Sequence, residues 1–547
     1  MDKFGKAQAM RRSEDVRLLT GHGRYVDDVA PADGLRAFVL RSPVAHATIT
    51  TLDVTEARAA PGVHLILTVD DLLDGGMEIG MKGTVVKNRD GSMGAEPQRP
   101  MLARGKLRHV GEPVAFVVAD TLQQAQDAAE LIELDYDELP AHMELCAGGE
   151  TIHPEAPDNR AYDFGLGDEE ATKAAFDAAA DVVRLEVGDN RIIVNAMEPR
   201  GCYAEYEDGR IHLAFNGQGV WGMKGELART FKVDPETIRV TNPDVGGGFG
   251  MKAAPYPEYF CAVFAARALG RPVRWMSDRT EAMLSDHAGR DLVTMAELAF
   301  DKNHKILAYR VHTISNLGVY NSQYGQPIQS NLFARVLTGT YDIPTAWMRV
   351  EGIYTNTTQV DAYRGAGRPE AIYVLERVMD RAARQLGIDT LELKKINFIK
   401  QFPYTTVSGE NYDVGDFPRV LDHAVADSDW AGFEARKAAS EKAGKLRGRG
   451  LCYYIESILG NPYEDVKVEF TEDGGAVIYV GTQSGGQGHE TVFAKFLSDQ
   501  TGIPFETIEV VQGDSDRIAE GGGTGGSRSV TVQATVTLKA VANMIEG

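Results

Sequence analysis

Four short glycine-rich segments constrain this chain more than any other feature of its sequence. They are Gly246–Gly250 (GGGFG), Gly365–Gly367 (GAG), Gly481–His489 (GTQSGGQGH) and Gly521–Ser527 (GGGTGGS). Each lies beside a predicted strand, and three lead into a predicted helix, which directs backbone N–H groups outward toward an anionic ligand. Glycine makes up 58 of the 547 residues, about 11% where about 7% is usual. One such segment alone is more often an ordinary turn, but four together indicate loops around one ligand.

Length, charge and cysteine spacing exclude several classes of protein. A chain of 547 residues holds roughly three or four domains. The formal net charge of −22 disfavours nucleic acid as a partner, because phosphate binding requires a basic face. The cysteines are far apart, without the spacing of an iron–sulfur site or a disulfide framework. No secretory signal and no apolar stretch long enough for a membrane span is found, so we predict a soluble, cytoplasmic protein.

Familiar nucleotide-binding and metal-binding motifs do not explain the glycines. The chain has no GxxxxGK[ST] and no HExxH, and Gly246–Gly250 lacks the spacing of a dinucleotide-binding fingerprint. An NAD-dependent enzyme is therefore only a distant alternative. If the protein is an enzyme, its reactive centre is expected to be a cofactor held through backbone amides.

The hydrophobic pattern predicts an α+β protein. Irregular stretches at Leu139–Asn159 and Lys400–Phe417, followed by the polar segment Ala435–Arg449, predict domains over 1–145, 146–425 and 426–547. The predicted strands are Ala37–Leu40, Val63–Val69, Pro113–Ala119, Ile192–Asn195, Arg210–Phe215, Arg239–Thr241, Gly450–Tyr454, Val466–Phe470 and Val477–Val480. The predicted helices are Thr121–Glu133, Val220–Thr230, Pro257–Leu269, Glu370–Leu386, Thr491–Thr501 and Ser529–Glu546.

As a set, the segments resemble the large, molybdenum-cofactor-binding subunit of the xanthine oxidase, aldehyde oxidase and aerobic carbon monoxide dehydrogenase family. The resemblance runs from about residue 11 to the end and implies an N-terminal α/β hammerhead-like domain over 1–145. Mixed α+β cofactor-binding domains would follow over 146–425 and 426–547, the last of them incomplete. The motifs that carry it, in the family's order, are Arg12–Asp15 (RSED) with Leu18–Gly21 (LLTG) and Gly23–Asp28 (GRYVDD), Asp244–Lys252 (DVGGGFGMK), Ala362–Glu370 (AYRGAGRPE), Gly486–Thr491 (GQGHET) and Gly523–Ser529 (GTGGSRS).

The resemblance implies roles for individual residues. Gln218, Phe249 and Arg364 would form the catalytic set around the metal, with the Gln218 amide near its oxygen ligands. No protein ligand to the metal is implied, because the cofactor's dithiolene supplies the sulfur atoms. The implied cofactor-binding set is Gln218, Gly248, Phe249, Gly250, Arg364, Gly365, Ala366, Gly486, Gln487, Gly488, His489, Thr524, Ser527, Arg528 and Ser529.

Plainer interpretations of these residues stay open from sequence alone. Gln218 could make only local bonds, Phe249 could pack in the core, and Arg364 could form an ion pair with Glu370. Gln487 and His489 could simply cap the helix that follows them.

The implied cofactor is molybdopterin, or its cytosine dinucleotide form, with molybdenum. The implied partners are an iron–sulfur subunit with 2Fe–2S clusters and an FAD subunit. The substrate would be a small molecule, an aldehyde or an N-heteroaromatic compound, hydroxylated with oxygen from water. Two departures narrow the choice: Gly365 stands where carbon monoxide-oxidising members have cysteine, and Ala253 stands where purine-oxidising members have glutamate.

A third departure concerns the general base. The family's catalytic glutamate lies downstream of GTGGSRS, and the printed sequence ends at Gly547 before reaching it. We therefore expect a further polypeptide to supply that glutamate. Alternatively, the chain is a non-catalytic scaffold or fragment that binds cofactor or partners. The apolar stripe Val532, Val536, Val541, Met544 and Ile545 on the last predicted helix needs a partner, and Gly547 is a plausible C-cap.

Overall fold

A computed structural model of the chain describes residues 10–460 and 462–546. The predicted C-cap at Gly547 and the side chain of Ile545 lie outside the described residues. The strands are β1 (Leu35–Arg41), β2 (Ala47–Asp53), β3 (Val63–Leu67), β4 (Gly80–Met81), β5 (Arg99–Pro100), β6 (Lys106–Leu107), β7 (Pro113–Ala119), β8 (Glu133–Glu138), β9 (Arg160–Gly167), β10 (Asp181–Asp189), β11 (Ile192–Ile193), β12 (Gly201–Glu207), β13 (Arg210–Phe215), β14 (Ile238–Thr241), β15 (Val273–Met276), β16 (Ala288–Gly289), β17 (Leu292–Phe300), β18 (Ile306–Gly318), β19 (Ala346–Tyr354), β20 (Tyr404–Thr405), β21 (Asn411–Tyr412), β22 (Val466–Phe470), β23 (Ala476–Val480) and β24 (Ile508–Val511).

Helices alternate with these strands along the chain, so the structure confirms the predicted α+β class. Among the described residues, none of the helices has the length and apolarity that crossing a bilayer requires. The α-helices are α1 (Glu14–Leu19), α2 (Val26–Val29), α3 (Thr55–Arg58), α4 (Val69–Asp74), α5 (Leu122–Glu130), α6 (Glu169–Asp177), α7 (Trp221–Phe231), α8 (Pro257–Leu269), α9 (Arg279–Ser285), α10 (Gly325–Pro327), α11 (Arg368–Leu386), α12 (Thr390–Asn397), α13 (Phe417–Asp427), α14 (Phe433–Lys442), α15 (His489–Thr501) and α16 (Ser529–Glu546). Short 3-10 and π turns occupy Pro235–Thr237, Met251–Ala253, Ile328–Leu332, Trp430–Gly432 and Phe505–Thr507.

The largest sheet combines strands from distant parts of the chain. Its order is β14-β13-β12-β15-β1-β7-β3. β1 pairs in parallel with β15, with Leu35 opposite Val273, and antiparallel with β7. The chain on both sides of residue 145 thus contributes to one sheet, and the predicted domain boundaries stay predictions.

Helix α8 covers this sheet and is apolar on nearly every side, with Glu258 and Arg267 as its charged residues. It begins with Pro257 at a position where no N–H is needed and ends at Gly270 in the left-handed conformation, as its sequence predicts. Nine of its thirteen residues are buried, including Tyr259, Phe260 and Cys261. A helix without a polar face is stable only inside a core, and this one packs on strands β12, β13 and β15.

A second sheet has the order β10-β17-β18-β19-β9 and packs on helix α11. Its three long strands β17, β18 and β19 were not predicted from the sequence. Their burial departs from simple alternation, and the last five residues of β17 are all buried, so the two-residue period is lost. The sheet matters for function because α11 begins directly after the Gly365–Gly367 loop.

The third sheet, β22-β23-β24, packs against α15 and α16. Val541 on α16 is buried with Ile478 and Phe493, so the apolar stripe on this helix packs at least in part within the same chain. The predicted strand Gly450–Tyr454 is wrong. Residues 451–459 alternate in exposure as a strand would, but they form no strand pair with any described residue.

Other predicted bounds need small corrections. The strand at Ile192 ends at Ile193, and Val69 begins helix α4 rather than ending a strand. Helix α5 stops at Glu130, but its predicted N-cap is confirmed, because the Thr121 side chain accepts a hydrogen bond from the Gln124 N–H at 3.2 Å.

Candidate cofactor-binding site

Gln218 lies where two of the four glycine loops meet. Its amide Nε2 donates to the Thr524 carbonyl at 2.8 Å, and its Oε1 accepts from the Gly250 N–H at 2.8 Å. In return the Thr524 N–H donates to the Gln218 carbonyl at 2.7 Å. Glycine is required beside it, since a Cβ on Gly219 would lie 2.7 Å from the Gly523 Cα. The interpretation of Gln218 as a purely local amide is therefore wrong: it links segments about 300 residues apart.

The loop Gly246–Gly250 contacts the loop that contains Arg364. The Arg364 N–H donates to the Phe249 carbonyl at 2.8 Å, and a Cβ on Gly250 would lie 2.6 Å from the Ala362 carbonyl oxygen. Phe249 has a positive φ of 57° and is 44% exposed, so it is not a core residue. Its ring centroid lies 5.8 Å from the exposed Arg364 guanidinium. A strained, exposed aromatic beside a cation is typical of a binding surface rather than of packing.

The predicted alternative for Arg364, an ion pair with Glu370, is wrong. Glu370 instead pairs with Arg290 at 3.0 Å, and Arg290 also donates to the Tyr363 and Arg364 carbonyls at 2.9 Å. Through these two hydrogen bonds Arg290 fixes the backbone of the loop that contains Arg364. The neighbouring Gly365 and Ala366 have positive φ values of 107° and 44°, which fold the loop back onto α11.

The third loop is held by hydrogen bonds among its own residues just before α15 begins. The Gln487 Oε1 accepts from the Gly485 N–H at 2.6 Å, and its Nε2 donates to the Gln483 carbonyl at 3.3 Å. Gly486 and Gly488 have positive φ values, and Gly488 is the N-cap residue of α15. His489 is buried against the ring of Phe493, and burial lowers its pKa to about 4. The imidazole is therefore neutral at physiological pH.

The fourth loop is braced from two sides. Thr524 Oγ1 donates to the Gln483 carbonyl at 2.6 Å and contacts Ser529 Oγ at 3.0 Å. Ser527 is exposed, with a positive φ of 61°. Arg528 is buried, pairs with Glu464 at 2.7 Å and donates to the Gly523 carbonyl at 3.0 Å. Its guanidinium thus supports the loop from inside the protein.

The site offers both space and hydrogen-bonding groups to a polar ligand. A cleft of about 470 Å³ opens between the first and third loops, lined by backbone of Gly246, Gly247, Gly485 and Gly486. A Cβ on Gly486 would meet no atom within 4 Å. Among the described residues, the buried atoms Thr482 Oγ1, Gln483 Oε1 and both amide atoms of Gln533 have no hydrogen-bond partner. Of these residues Gln483 lines the cleft, and an unused buried polar group at an open cleft fits a heteroatom-rich ligand.

Several supporting residues were missed in the sequence. Glu198 accepts from the Gly246 N–H at 2.8 Å and pairs at 3.2 Å with the fully buried Lys252, whose pKa is lowered by burial. Glu456 pairs with Arg368 at 2.7 Å and accepts from Ser527 at 3.1 Å, joining the second and fourth loops. Lys252 ends the motif Asp244–Lys252, but nothing in the spacing of Glu198 or Glu456 indicates these contacts.

Comparison with known proteins agrees with this arrangement. The aldehyde oxidase and xanthine dehydrogenase a/b hammerhead domain matches residues 20–140, and molybdopterin cofactor-binding domains match 152–398 and 423–547. These matches confirm the predicted order, a hammerhead domain followed by cofactor-binding domains.

Individual relatives match almost the whole chain. The nicotine 6-hydroxylase large subunit of Paenarthrobacter nicotinovorans is 34% identical over 95% of this chain and 65% of its own length. The carbon monoxide dehydrogenase large chain of Hydrogenophaga pseudoflava is 32% identical over 95% of this chain and 68% of its own. The crystal structure of quinoline 2-oxidoreductase from Pseudomonas putida 86 superposes with a TM-score of 0.92, at 31% identity, over 100% of this chain and 71% of its own. The chain thus spans about two thirds of the length of these relatives.

Proposed function

The chain belongs to the xanthine oxidase family of molybdenum-cofactor-binding large subunits, and from this premise we propose that it serves in a hydroxylase. The proposed substrate is an aldehyde or an N-heteroaromatic compound. The substrate carbon loses a hydrogen and gains a hydroxyl from water, which releases two electrons and two protons. Iron–sulfur and FAD partner subunits would accept the electrons. The pairing of Gln218 with Gly250 and Thr524, which joins two of the glycine loops at one point, carries the proposal.

The residues of the site fit molybdopterin, or its cytosine dinucleotide form. Gly248, Gly486, Gln487, Gly488 and the buried Gln483 Oε1 would hold it through backbone and amide contacts. When bound, the cofactor supplies a molybdenum centre that accepts two electrons from the substrate. Thr524, Ser527 and Ser529 offer hydroxyl groups at the fourth loop, and the start of α16 adds backbone N–H groups suited to a phosphate.

The proposed catalytic set acts by orientation and charge. Gln218 can present the second N–H of its amide to the reacting oxygen, because the bonds to Thr524 and Gly250 fix the orientation of the amide. Phe249 provides an exposed aromatic wall for a planar or apolar substrate. Arg364 places a cation beside it, where negative charge develops as the carbon is attacked.

Local geometry supports a substrate other than carbon monoxide. Gly365 has a φ of 107°, and a Cβ there would lie 2.1 Å from Pro369 Cγ and 2.4 Å from its Cδ. A cysteine that could hold copper does not fit this position without moving the start of α11. Ala253, at the position of the glutamate in purine-oxidising members, likewise supports a substrate other than xanthine. The unpaired state of the four described cysteines supports the cytoplasm as the proposed location.

Two measurements on the purified complex test the proposal. Metal and pterin analysis should find molybdenum and molybdopterin bound, and an artificial electron acceptor should be reduced with members of an aldehyde and N-heteroaromatic panel. Absence of molybdenum and pterin from a complex with all its subunits would refute cofactor binding. Bound cofactor without turnover on any member of the panel would favour the non-catalytic scaffold.

A further inference from the structure

Helix α1, near the start of the chain, packs against the beginning of α15, about 475 residues later. The Ser13 N–H donates to Thr491 Oγ1 at 2.8 Å, and Thr491 in turn donates to the carboxylate of Glu14. Glu14 is only 5% exposed, although it lies on a short surface helix. A Cβ on Gly488 would meet Arg12 and Glu14 at 3.3 and 3.4 Å. The helix therefore covers the end of the third glycine loop.

Arg17 on the same helix binds two carboxylates, one from each side of the cleft. Its Nη1 donates to Asp244, and its Nη2 donates to Glu490 Oε1 at 2.8 Å. Asp244 opens the segment DVGGGFG, and Glu490 is the second residue of α15. Asp244 is further fixed by the Arg24 N–H, which donates to its carboxylate at 2.7 Å, and by its own N–H bond to the Arg24 carbonyl at 3.0 Å.

The first and third loops face each other across the cleft that Arg17 also lines. Their separation decides how far apart two sets of backbone N–H groups stand. An arginine suits this task better than a lysine, because its planar fork holds two acceptors in fixed directions, whereas an ammonium is a point charge. Arg17 is 35% exposed, so its value lies in geometry more than in the strength of two partly hydrated ion pairs.

We infer that Arg17 is a positioning residue that fixes the spacing of the Asp244–Gly250 and Gly485–Glu490 loops. The consequence for cofactor retention rests on the proposed function, but the spacing itself does not. Through this contact the N-terminal segment becomes part of the site, and Arg12, Glu14, Arg17 and Leu18 all line the cleft.

Hydrogen exchange on the full chain without cofactor tests the spacing directly. Arg17→Met should raise amide exchange about tenfold in both loops, and Arg17→Lys, which can satisfy only one carboxylate well, should give a smaller rise. Arg24→Met is the matched control, because Arg24 is exposed on the same segment and contacts Asp244 only through its backbone. Unchanged exchange in the two loops, or an equal rise throughout the molecule, would overturn the inference.

A double-mutant cycle and a retention assay complete the test. If Arg17 acts through Glu490, Glu490→Gln should add little to Arg17→Met in the exchange of the third loop, and additive effects would contradict that link. In the assembled complex, Arg17→Met should lose molybdenum and pterin on gel filtration faster than Arg24→Met. Faster exchange in both loops of a chain that never contains molybdenum would support the positioning role and refute the proposed function separately.

Discussion

At the scale of single residues, Gln218 shows how one side chain can define a site. Both of its polar atoms are used by other loops, so the amide is held in one orientation before any ligand arrives. Preorganised donors of this kind contribute to catalysis because they need not reorient during the reaction.

Replacing Gln218 tests this role. Gln218→Ala should lower kcat by about 10²-fold, the usual cost of losing one preorganised hydrogen-bonding group, with molybdenum content measured in parallel. Gln218→Glu keeps the acceptor for Gly250 but sets a carboxylate oxygen against the Thr524 carbonyl, so it should lose activity as well. Gln123→Ala, on the exposed face of α5, is the control. Full activity of Gln218→Ala would remove the residue from the catalytic set.

Gly365 leads to a prediction about stability, because here a side chain is added rather than removed. Gly365→Cys should destabilise the protein by about 1–3 kcal/mol, because a positive φ and the contact with Pro369 both oppose a side chain. Thermal unfolding measures this cost, and the variant should not acquire carbon monoxide oxidation when copper is supplied. Pro369→Ala in the same chain should recover only the part due to the contact. An undiminished unfolding temperature of Gly365→Cys would show that the loop is less constrained than its geometry indicates.

His489 makes stability depend on pH. Burial lowers the pKa of the folded imidazole to about 4, below its value near 6.5 in an unfolded chain. The unfolded state therefore binds more protons between pH 6.5 and 4, and the free energy of unfolding falls as the pH is lowered through that window. His489→Asn should flatten this part of the curve in denaturant titrations at pH 4.5 and 7. A slope identical to that of the parent would assign the effect to other buried histidines such as His153, whose pKa is also lowered to about 4.

Residues differ in how well the sequence predicts them. The glycine loops stand out as local clusters in the sequence, whereas Gln218 was named only through the family resemblance, and its role at the metal stays a prediction. Arg17, Glu198 and Glu456 act through partners that are 48 to 473 residues away in the chain. Their function depends on folding and leaves no local pattern.

At the scale of secondary-structure elements, a buried ionic cluster joins α8 to β1 and to the residue that precedes β12. Arg200 is fully buried and donates to Glu258 at 2.9 Å and Asp286 at 2.5 Å, while Arg41 reaches Glu258 at 2.6 Å. The Arg200 guanidinium also lies 3.7 Å from the centroid of the Tyr256 ring. Burial of the Glu258 carboxyl by itself would raise its pKa. The guanidinium groups of Arg200 and Arg41 outweigh this effect and hold the pKa of Glu258 down to about 2.

Breaking this cluster should lower the free energy of unfolding more than removing a surface ion pair does. Glu258→Gln should lower the free energy of unfolding by about 1.5–3 kcal/mol, since it removes a buried charged acceptor shared by Arg200 and Arg41, which keep Asp286 and Glu281. Lys173→Gln, which removes an exposed pair with Asp177 on α6, should change it by less than about 1 kcal/mol. Chemical denaturation of both variants gives the comparison. Similar losses in the two would argue that water reaches the cluster around Arg200.

Elements whose ends are marked by proline or glycine were predicted best. Helix α8 has proline at its start and glycine after its end, and its bounds were predicted without error. The long strands β17, β18 and β19 were not predicted, and each ends in a run of buried residues, five in β17, four in β18 and three in β19, where the alternation is lost. Residues 451–459 show the reverse error, because a strand-like period is present without a pairing partner among the described residues.

At the scale of the whole molecule, the seven-stranded sheet makes the hammerhead domain dependent on the rest of the chain. β1 lies between β7 and β15, so residues 20–140 alone would expose one edge of a central strand. Exposed edges of buried strands promote aggregation. Expression of residues 20–140 should yield aggregates in sedimentation experiments, whereas residues 20–276, which include β15, should be more soluble. A monomeric, folded 20–140 fragment would refute this dependence.

The pairing of β1 with β15 also determines when the large sheet can form during synthesis. About 235 residues separate the end of β1 from the end of β15, which at typical elongation rates is a wait of about 10–50 s on the ribosome. The Gln218–Thr524 contact closes still later, when nearly the entire printed sequence has been made. A nascent chain therefore holds an unfinished sheet while about 235 residues are translated, and a prosthetic group that needs all four loops can enter only once Ser529 has been made and the loops have folded. Chaperone supply and the timing of cofactor delivery, rather than intrinsic stability, would then limit the yield of active protein in a foreign host.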